Sequence, residues 1–206
     1  MSGGGGRPAP AAPVAQGQGA AVEGSPEGFD RVASLLVERA PDWEHDLRES
    51  VALAIVEESA RAGLDPLLVV ALIEVESEFE AGAASVMGAR GLMQLRPATA
   101  RWVAEREGVE FSPELLAADV TLNVRLGVRY LGYLLGSFRG RLDLALMAYN
   151  AGPNRLRAAL RARSPLEWQS YVRAVRREYA ALKSAHGETG DWALASFAPF
   201  DDARGP

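Results

Sequence analysis

Cysteine is absent from the sequence, which excludes disulfides, a thiol nucleophile, thiolate zinc sites and an N-terminal lipid-bearing cysteine without identifying a compartment. Histidine is nearly absent. His45 and His186 are too few for most histidine-rich metal sites, and both sit in charged helical surroundings, so both are expected to face solvent, and neither a metal nor a cofactor is expected. A basic excess is lacking as well: 22 Lys and Arg against 27 Asp and Glu leave a net charge of -5, which argues against a nucleic-acid partner. Nor is there a long apolar run. The longest near the middle, Leu67 to Ile73, is far short of the roughly 20 residues that span a bilayer. The opening MSGGGGRPAP has no basic start followed by an apolar core and does not read as a secretory signal; a signal either was removed ahead of this numbering or never existed.

What is present describes one soluble globular domain with tails. The hydrophobic fraction is 48%, the charged fraction 24%, and the 206 residues suffice for one sizeable core. Residues 1–26 are rich in Gly, Pro and Ala and read as a disordered leader; residues 27–186 read as the domain, and residues 187–206 as a tail. Trp192, Phe197 and Phe200 make that tail too apolar for a free linker, and it is expected to pack on the domain or on a partner.

The punctuation is helical. Asp65-Pro66, Ser112-Pro113 and Ser164-Pro165 each pair a capping side chain with proline at the first helical position. Apolar periodicity predicts helices at about 29–39, 44–62, 66–79, 97–107, 120–136, 142–150, 153–162 and 165–185, with Gly63, Gly108 and Gly136 near their ends. The reading is an all-α domain.

The segment EVESEFE, Glu74 to Glu80, carries a glutamate at every second position. On a strand all four would share one face. On the helix begun at Asp65-Pro66, with about 100° per residue, Val69, Leu72, Ile73 and Phe79 fall within about 60° of Glu76, while Glu74 and Glu78 point away into solvent. Glu80 stands at the frayed helix end. A carboxyl group held against apolar side chains loses hydration of its charged form, so its pKa rises into the range a general acid needs. The plain alternative is a half-buried structural glutamate paired with an arginine such as Arg90.

Three motifs in order carry a resemblance: Glu76-Ser77, then Gly91-Leu92-Met93-Gln94, then Ala148-Tyr149-Asn150-Ala151-Gly152. Gly63-Leu64-Asp65-Pro66 precedes the first, and Asn123-x-x-Leu126-Gly127-x-x-Tyr130-Leu131 lies between the second and third. From about Asp46 to Tyr179 the sequence resembles the soluble lytic transglycosylase catalytic domain, glycoside hydrolase family 23. The resemblance implies a lysozyme-like all-α fold with a groove for peptidoglycan glycan strands. It also implies cleavage, without added water, of the β-1,4 bond between N-acetylmuramic acid and N-acetylglucosamine, leaving an anhydromuramic end. Glu76 matches the catalytic acid, which then acts as base on the muramic C6 hydroxyl. The substrate's acetamido group supports the cationic centre in such enzymes, so no second carboxylate is demanded.

The same resemblance assigns substrate contacts to Ser85, Gln94, Tyr149, Asn150, Glu167 and Tyr171. Plainer alternatives stand beside most of them: a turn residue for Ser85, a surface amide for Gln94, an amphipathic core tyrosine for Tyr149, a helix cap for Asn150. Glu167 also completes a capping box with Ser164. Leu92 and Met93 read as core, and Gly88 and Gly91 as the tight turn that brings Gln94 beside Glu76. Two departures stand out. Trp168 and Gln169 replace the family's threonine and arginine, and Arg96 stands where the family commonly carries an apolar residue, often methionine. A cation there could change which saccharide or peptide stem is held. Two other functions remain open: a goose-type lysozyme-like hydrolase, and a non-catalytic peptidoglycan-binding domain. The implied location is the periplasm or cell envelope. A monomer is expected, with further envelope partners unidentified.

Overall fold

The computed structural model describes residues 26–164 and 167–187, and the statements that follow concern these. They form helices α1 (Pro26–Arg39), α2 (His45–Ala62), α3 (Pro66–Ser77), α4 (Pro97–Glu107), α5 (Pro113–Ala118), α6 (Val120–Ser137), α7 (Leu142–Ala151), α8 (Pro153–Arg161) and α9 (Gln169–Ala185). The extended structure among them is confined to two isolated bridges, Ala84 with Arg90 and Arg90 with Leu95. The all-α expectation holds.

Helix α3 is the centre. Leu67 to Ile73 are at most 2% exposed, so the helix is apolar all round, as a core helix should be. It packs on α9, α2 and α1, and α6 packs on α2, α7 and α4. Its start is fixed as the sequence suggests: the Leu67 amide donates to Oδ1 of Asp65 at 2.9 Å, with Pro66 in the first turn. The other oxygen of Asp65 accepts from the Tyr179 hydroxyl at 2.7 Å and from Lys183 Nζ at 2.9 Å, tying α9 to the head of α3. Glu58, on α2 and only 3% exposed, accepts from Arg129 Nε at 2.8 Å and Arg125 Nη1 at 3.3 Å, which locks α2 to α6 through a buried charge that is paired.

Several boundaries differ from expectation. Helix α1 begins at Pro26 rather than Phe29. Helix α3 ends at Ser77 rather than Phe79, because Glu78 and Phe79 take φ of 50° and 61°. Gly63 and Gly108 cap α2 and α4, but Gly136 lies inside the last turn of α6. Helix α9 begins at Gln169 with Trp168 as its N-cap, so Glu167 precedes the helix and the Ser164–Glu167 capping box is not its start. Pro165, Leu166, the leader to residue 25 and the tail from residue 188, with Trp192, Phe197 and Phe200, lie outside the described residues. Among the described residues no helix is long and apolar enough to cross a membrane.

Candidate active site

The C-terminal end of α3 supplies a carboxyl group. Glu76 sits in its last turn, half-buried, and its Oε1 accepts a hydrogen bond from the Tyr171 hydroxyl on α9. Burial pushes the Glu76 carboxyl up to about 7 from an ordinary 4.5, against the Tyr171 hydrogen bond, which favours the ionised form. A helix C-terminus carries partial negative charge, which acts in the same direction as burial. Among the described residues Glu76 has no ion-pair partner, so the alternative of an arginine-paired structural glutamate fails.

Directly after Ser77 the chain turns sharply. Glu78 and Phe79 occupy the left-handed region, which disfavours side chains with a Cβ by roughly 1–2 kcal/mol each. Burial holds Phe79 there: it is 3% exposed and meets Trp43 edge-on at 6.4 Å, while Glu78 beside it is exposed. Glu78, Phe79 and Gln94 are three of the five non-glycine residues with positive φ among those described, and all three border the same region, so backbone strain concentrates around Glu76.

The loop 83–96 faces this end of α3 and is fastened from several sides. Ser77 Oγ donates to the Leu92 carbonyl at 2.9 Å. Asn123, buried on α6, accepts from the Met93 amide at 2.9 Å and donates to the Arg90 carbonyl at 2.9 Å. The Tyr149 hydroxyl on α7 donates to the Met93 carbonyl at 2.7 Å. Two glycines make this approach possible. A Cβ on Gly91, which has φ of 72°, would lie 2.3 Å from Asn123 Nδ2, and one on Gly127 would lie 2.5 Å from Met93 Cβ. Leu92 and Met93 are fully buried, as expected of core residues.

Between the helix end and the loop lies an open cleft of about 490 Å³, lined by Val75, Glu76, Ser77, Glu78, Glu80, Ala83, Ala84, Ser85 and Gln94. Ser85 Oγ accepts from the Ala89 amide at 3.0 Å, which fixes the turn and leaves its own proton to donate. Gln94 Nε2 donates to the Ala83 and Gly91 carbonyls at 3.2 and 2.9 Å, so both amide hydrogens are used within the loop and Oε1 is left as an acceptor.

The structure thus brings Glu76, Ser85, Gln94 and Tyr171 together, with Tyr149 behind the loop. The Tyr149 hydroxyl meets Met93 rather than Glu76, although the nearby Glu76 charge adds to the burial that drives its pKa well above the ordinary range. Burial and Glu76 do the same to Tyr171. Asn150 is exposed in the last turn of α7, and Gly152, not Asn150, is that helix's cap. Glu167 is exposed and lies 3.5 Å from Arg155, outside the cleft.

The sequence reading missed Asn123 as the clamp of the loop, although its motif contained it. It also put Glu74 in solvent, whereas Glu74 pairs with Arg39 at 2.7 Å. Glu78 and Glu80, set aside as solvent and helix-end residues, are exposed but line the cleft. His45 is exposed; His186 is half-buried, its Nδ1 2.8 Å from the Leu182 carbonyl.

Comparison with known proteins gives concordant results. The transglycosylase SLT domain matches residues 53–171, more than half of the chain. A transglycosylase of Enterobacteria phage PRD1 is 36% identical over 96 residues, covering 47% of this chain and 32% of the phage protein. The soluble lytic murein transglycosylase of Escherichia coli is 33% identical over 91 residues, covering 44% of this chain and 14% of the relative. The chain therefore spans about a third or less of the length of these relatives. Among solved structures, lytic transglycosylase Slt of Pseudomonas aeruginosa, in an inactive glutamate-to-glutamine form, superposes with a TM-score of 0.59 at 25% identity, over 82% of this chain and 39% of that one. The 70 kDa soluble lytic transglycosylase of Escherichia coli shares the fold with a TM-score of 0.57 at 22% identity, over 78% of this chain and 31% of the other.

Proposed function

The chain belongs to the transglycosylase SLT domain family, and on that footing we propose that it cleaves the β-1,4 bond between N-acetylmuramic acid and N-acetylglucosamine in peptidoglycan, with Glu76 as its single acid and base. The observation that carries this reading is the Glu76 carboxyl: it lines an open cleft, its protein partner is the Tyr171 hydroxyl, and burial pushes its pKa up to about 7. Such a group is protonated often enough near neutrality to donate, and ionised readily enough to accept afterwards.

The Tyr171 hydroxyl occupies Oε1, so the acid proton belongs on Oε2. From there it passes to the glycosidic oxygen as the bond to the muramic C1 breaks, and the sugar's acetamido oxygen supports the positive charge at C1. The Glu76 carboxylate then removes the proton of the muramic C6 hydroxyl while that oxygen closes on C1. The proton count balances, no water enters, and Glu76 returns to its acid form. Tyr171 steadies the carboxylate in the second half, and Gln94 Oε1 and the Ser85 hydroxyl offer an acceptor and a donor to the sugar. Asn150, the residue after Tyr149 in α7, and Glu167 would contact the strand beyond the cleft. The site of action is the cell envelope.

One observation favours a second reading, hydrolysis. Glu78 and Glu80 line the same cleft, and a second carboxylate is what an inverting hydrolase uses to activate water. Mass spectrometry of products formed in heavy-oxygen water separates the two. Transglycosylation gives unlabelled anhydro ends; labelled reducing ends, one water heavier, would establish hydrolysis instead.

A further inference from the structure

The loop that closes the Glu76 cleft has a second cavity on it. Met87, Gly88, Arg90, Arg96, Pro97, Ala98, Pro113 and Glu114 line an open space of about 530 Å³ between the loop, the start of α4 and the start of α5. It adjoins the first cleft along the chain at both ends: Ser85 and Met87 are two residues apart, as are Gln94 and Arg96, so the corresponding Cα atoms are at most about 7–8 Å apart.

Its charge is unbalanced. Among the described residues several arginines are engaged by carboxylates or aromatic rings: Arg39 by Glu74, Arg125 and Arg129 by Glu58, Arg106 by Trp102, Arg155 by Glu167 and Trp168. Among the described residues the guanidiniums of Arg90 and Arg96 have no ion pair, hydrogen bond or ring contact; others such as Arg161 and Arg173 share that state, but Arg90 and Arg96 line one cavity together. Glu114, at the head of α5, also lines the cavity, so its charged lining is two guanidiniums against one carboxylate. The Arg90 backbone is fixed, pairing with Leu95 in both directions at 2.9 and 3.1 Å and with Asn123, so that side chain issues from a rigid base.

Two unpaired guanidinium forks in one cavity suit carboxylates, which they bind through parallel N–H donors. Resting on the function proposed above, we infer that this cavity holds the peptide stem of peptidoglycan through its free carboxylates, with Arg90 and Arg96 as the residues that make the domain prefer stem-bearing strands. The stem hangs from the lactyl group of the muramic residue whose C1 reacts at Glu76, and the cavity lies across the loop from that sugar's site. Met87, 68% exposed at the rim, offers apolar surface to the aliphatic parts of the stem.

The test compares two substrates: glycan strands carrying peptide stems, and the same strands stripped of stems by an amidase. The readout is the ratio of kcat/KM on the first to that on the second, for wild type, Arg96→Met, Arg96→Lys and the Arg90→Gln/Arg96→Met double variant, with circular dichroism confirming helical content. A carboxylate subsite predicts a wild-type ratio well above one. It predicts about a tenfold lower ratio in the double variant, the scale of one charge-assisted contact, carried by KM, with partial recovery in Arg96→Lys. Salt should compress the wild-type ratio. An unchanged ratio in the folded double variant overturns the proposal. Calorimetric binding of both substrates to Glu76→Gln protein keeps the result separate from the chemistry. Loss of stem preference there supports the subsite even if products prove hydrolytic, and equal binding by the two arginine forms refutes it even if anhydro ends are made.

Discussion

The Tyr171 hydroxyl donates to Oε1 of Glu76 across 95 residues of sequence, joining the start of α9 to the end of α3. This bond opposes the effect of burial. Desolvation drives the carboxyl towards neutrality and the phenol favours the anion, and the balance puts its pKa at about 7, where the proposed reaction needs both forms.

Removing the phenol should therefore raise the Glu76 pKa further. Wild-type kcat should fall as pH rises through about 7, where the acid form is lost. In Tyr171→Phe that alkaline limb should move to higher pH, while kcat at its maximum falls because the second, basic half is weakened. A pH–rate profile of both proteins checks this. A limb that moves to lower pH would show that Tyr171 supports the acid form instead.

The same raised pKa has a consequence for stability. Between 4.5 and about 7 the folded protein holds a proton at Glu76 that the unfolded chain releases, so stability falls as pH rises through this window. Glu76→Gln should escape that loss. It should be more stable than wild type above pH 7 by roughly 1–3 kcal/mol, allowing for partial solvent access, and about equal below pH 4.5. Urea titrations at the two ends of the range decide it.

Asn123 fastens the loop that carries Gln94. Asn123→Ala removes bonds to the Met93 amide and the Arg90 carbonyl, and leaving such buried groups unpaired costs on the order of 2–4 kcal/mol. Gly91→Ala should fail similarly, since its Cβ would strike Asn123 at a φ that disfavours alanine. Both variants should lose activity along with stability in chemical denaturation, and the double variant should be less than additive because the clash partner is gone.

Glu58 supplies the contrast. Glu58→Ala takes the buried carboxylate from Arg129 and leaves it the longer pair with Glu107 at 3.4 Å, so it should cost less than the roughly 3–5 kcal/mol of a fully unpaired buried charge. Because the bond lies away from the cleft, the pH–rate profile of the folded variant should keep the wild-type limb.

The helices were readable because their signals are local: Asp65-Pro66 and Ser112-Pro113 mark starts whose caps form as expected. The burial of the Glu76 carboxyl was readable because Glu76 sits in register with Val69, Leu72 and Ile73. The remaining parts of the site depend on contacts that no local pattern encodes. Glu74 looked solvent-facing on α3 alone, but the Arg39 side chain of α1 reaches it. Phe79 was assigned to the helix, yet the chain leaves α3 at Glu78 and the ring is buried against Trp43 in a left-handed backbone. The clamp on Asn123 needs Gly91 and Gly127 to allow close approach, a reason for those glycines that only the packed loop discloses. Glu167 has a strong capping pattern, but α9 starts at Gln169 and leaves it outside.

The central claim is that Glu76 alone moves the protons and that water takes no part. The most direct test is digestion of purified sacculi by wild-type and Glu76→Gln protein, with anhydromuramic ends counted by mass spectrometry. The expected result is anhydro ends as the sole new termini with wild type and at least a thousandfold slower release with the folded variant, the scale at which loss of a general acid and base acts twice. Near-normal release by Glu76→Gln, or reducing ends from the wild type, would contradict it.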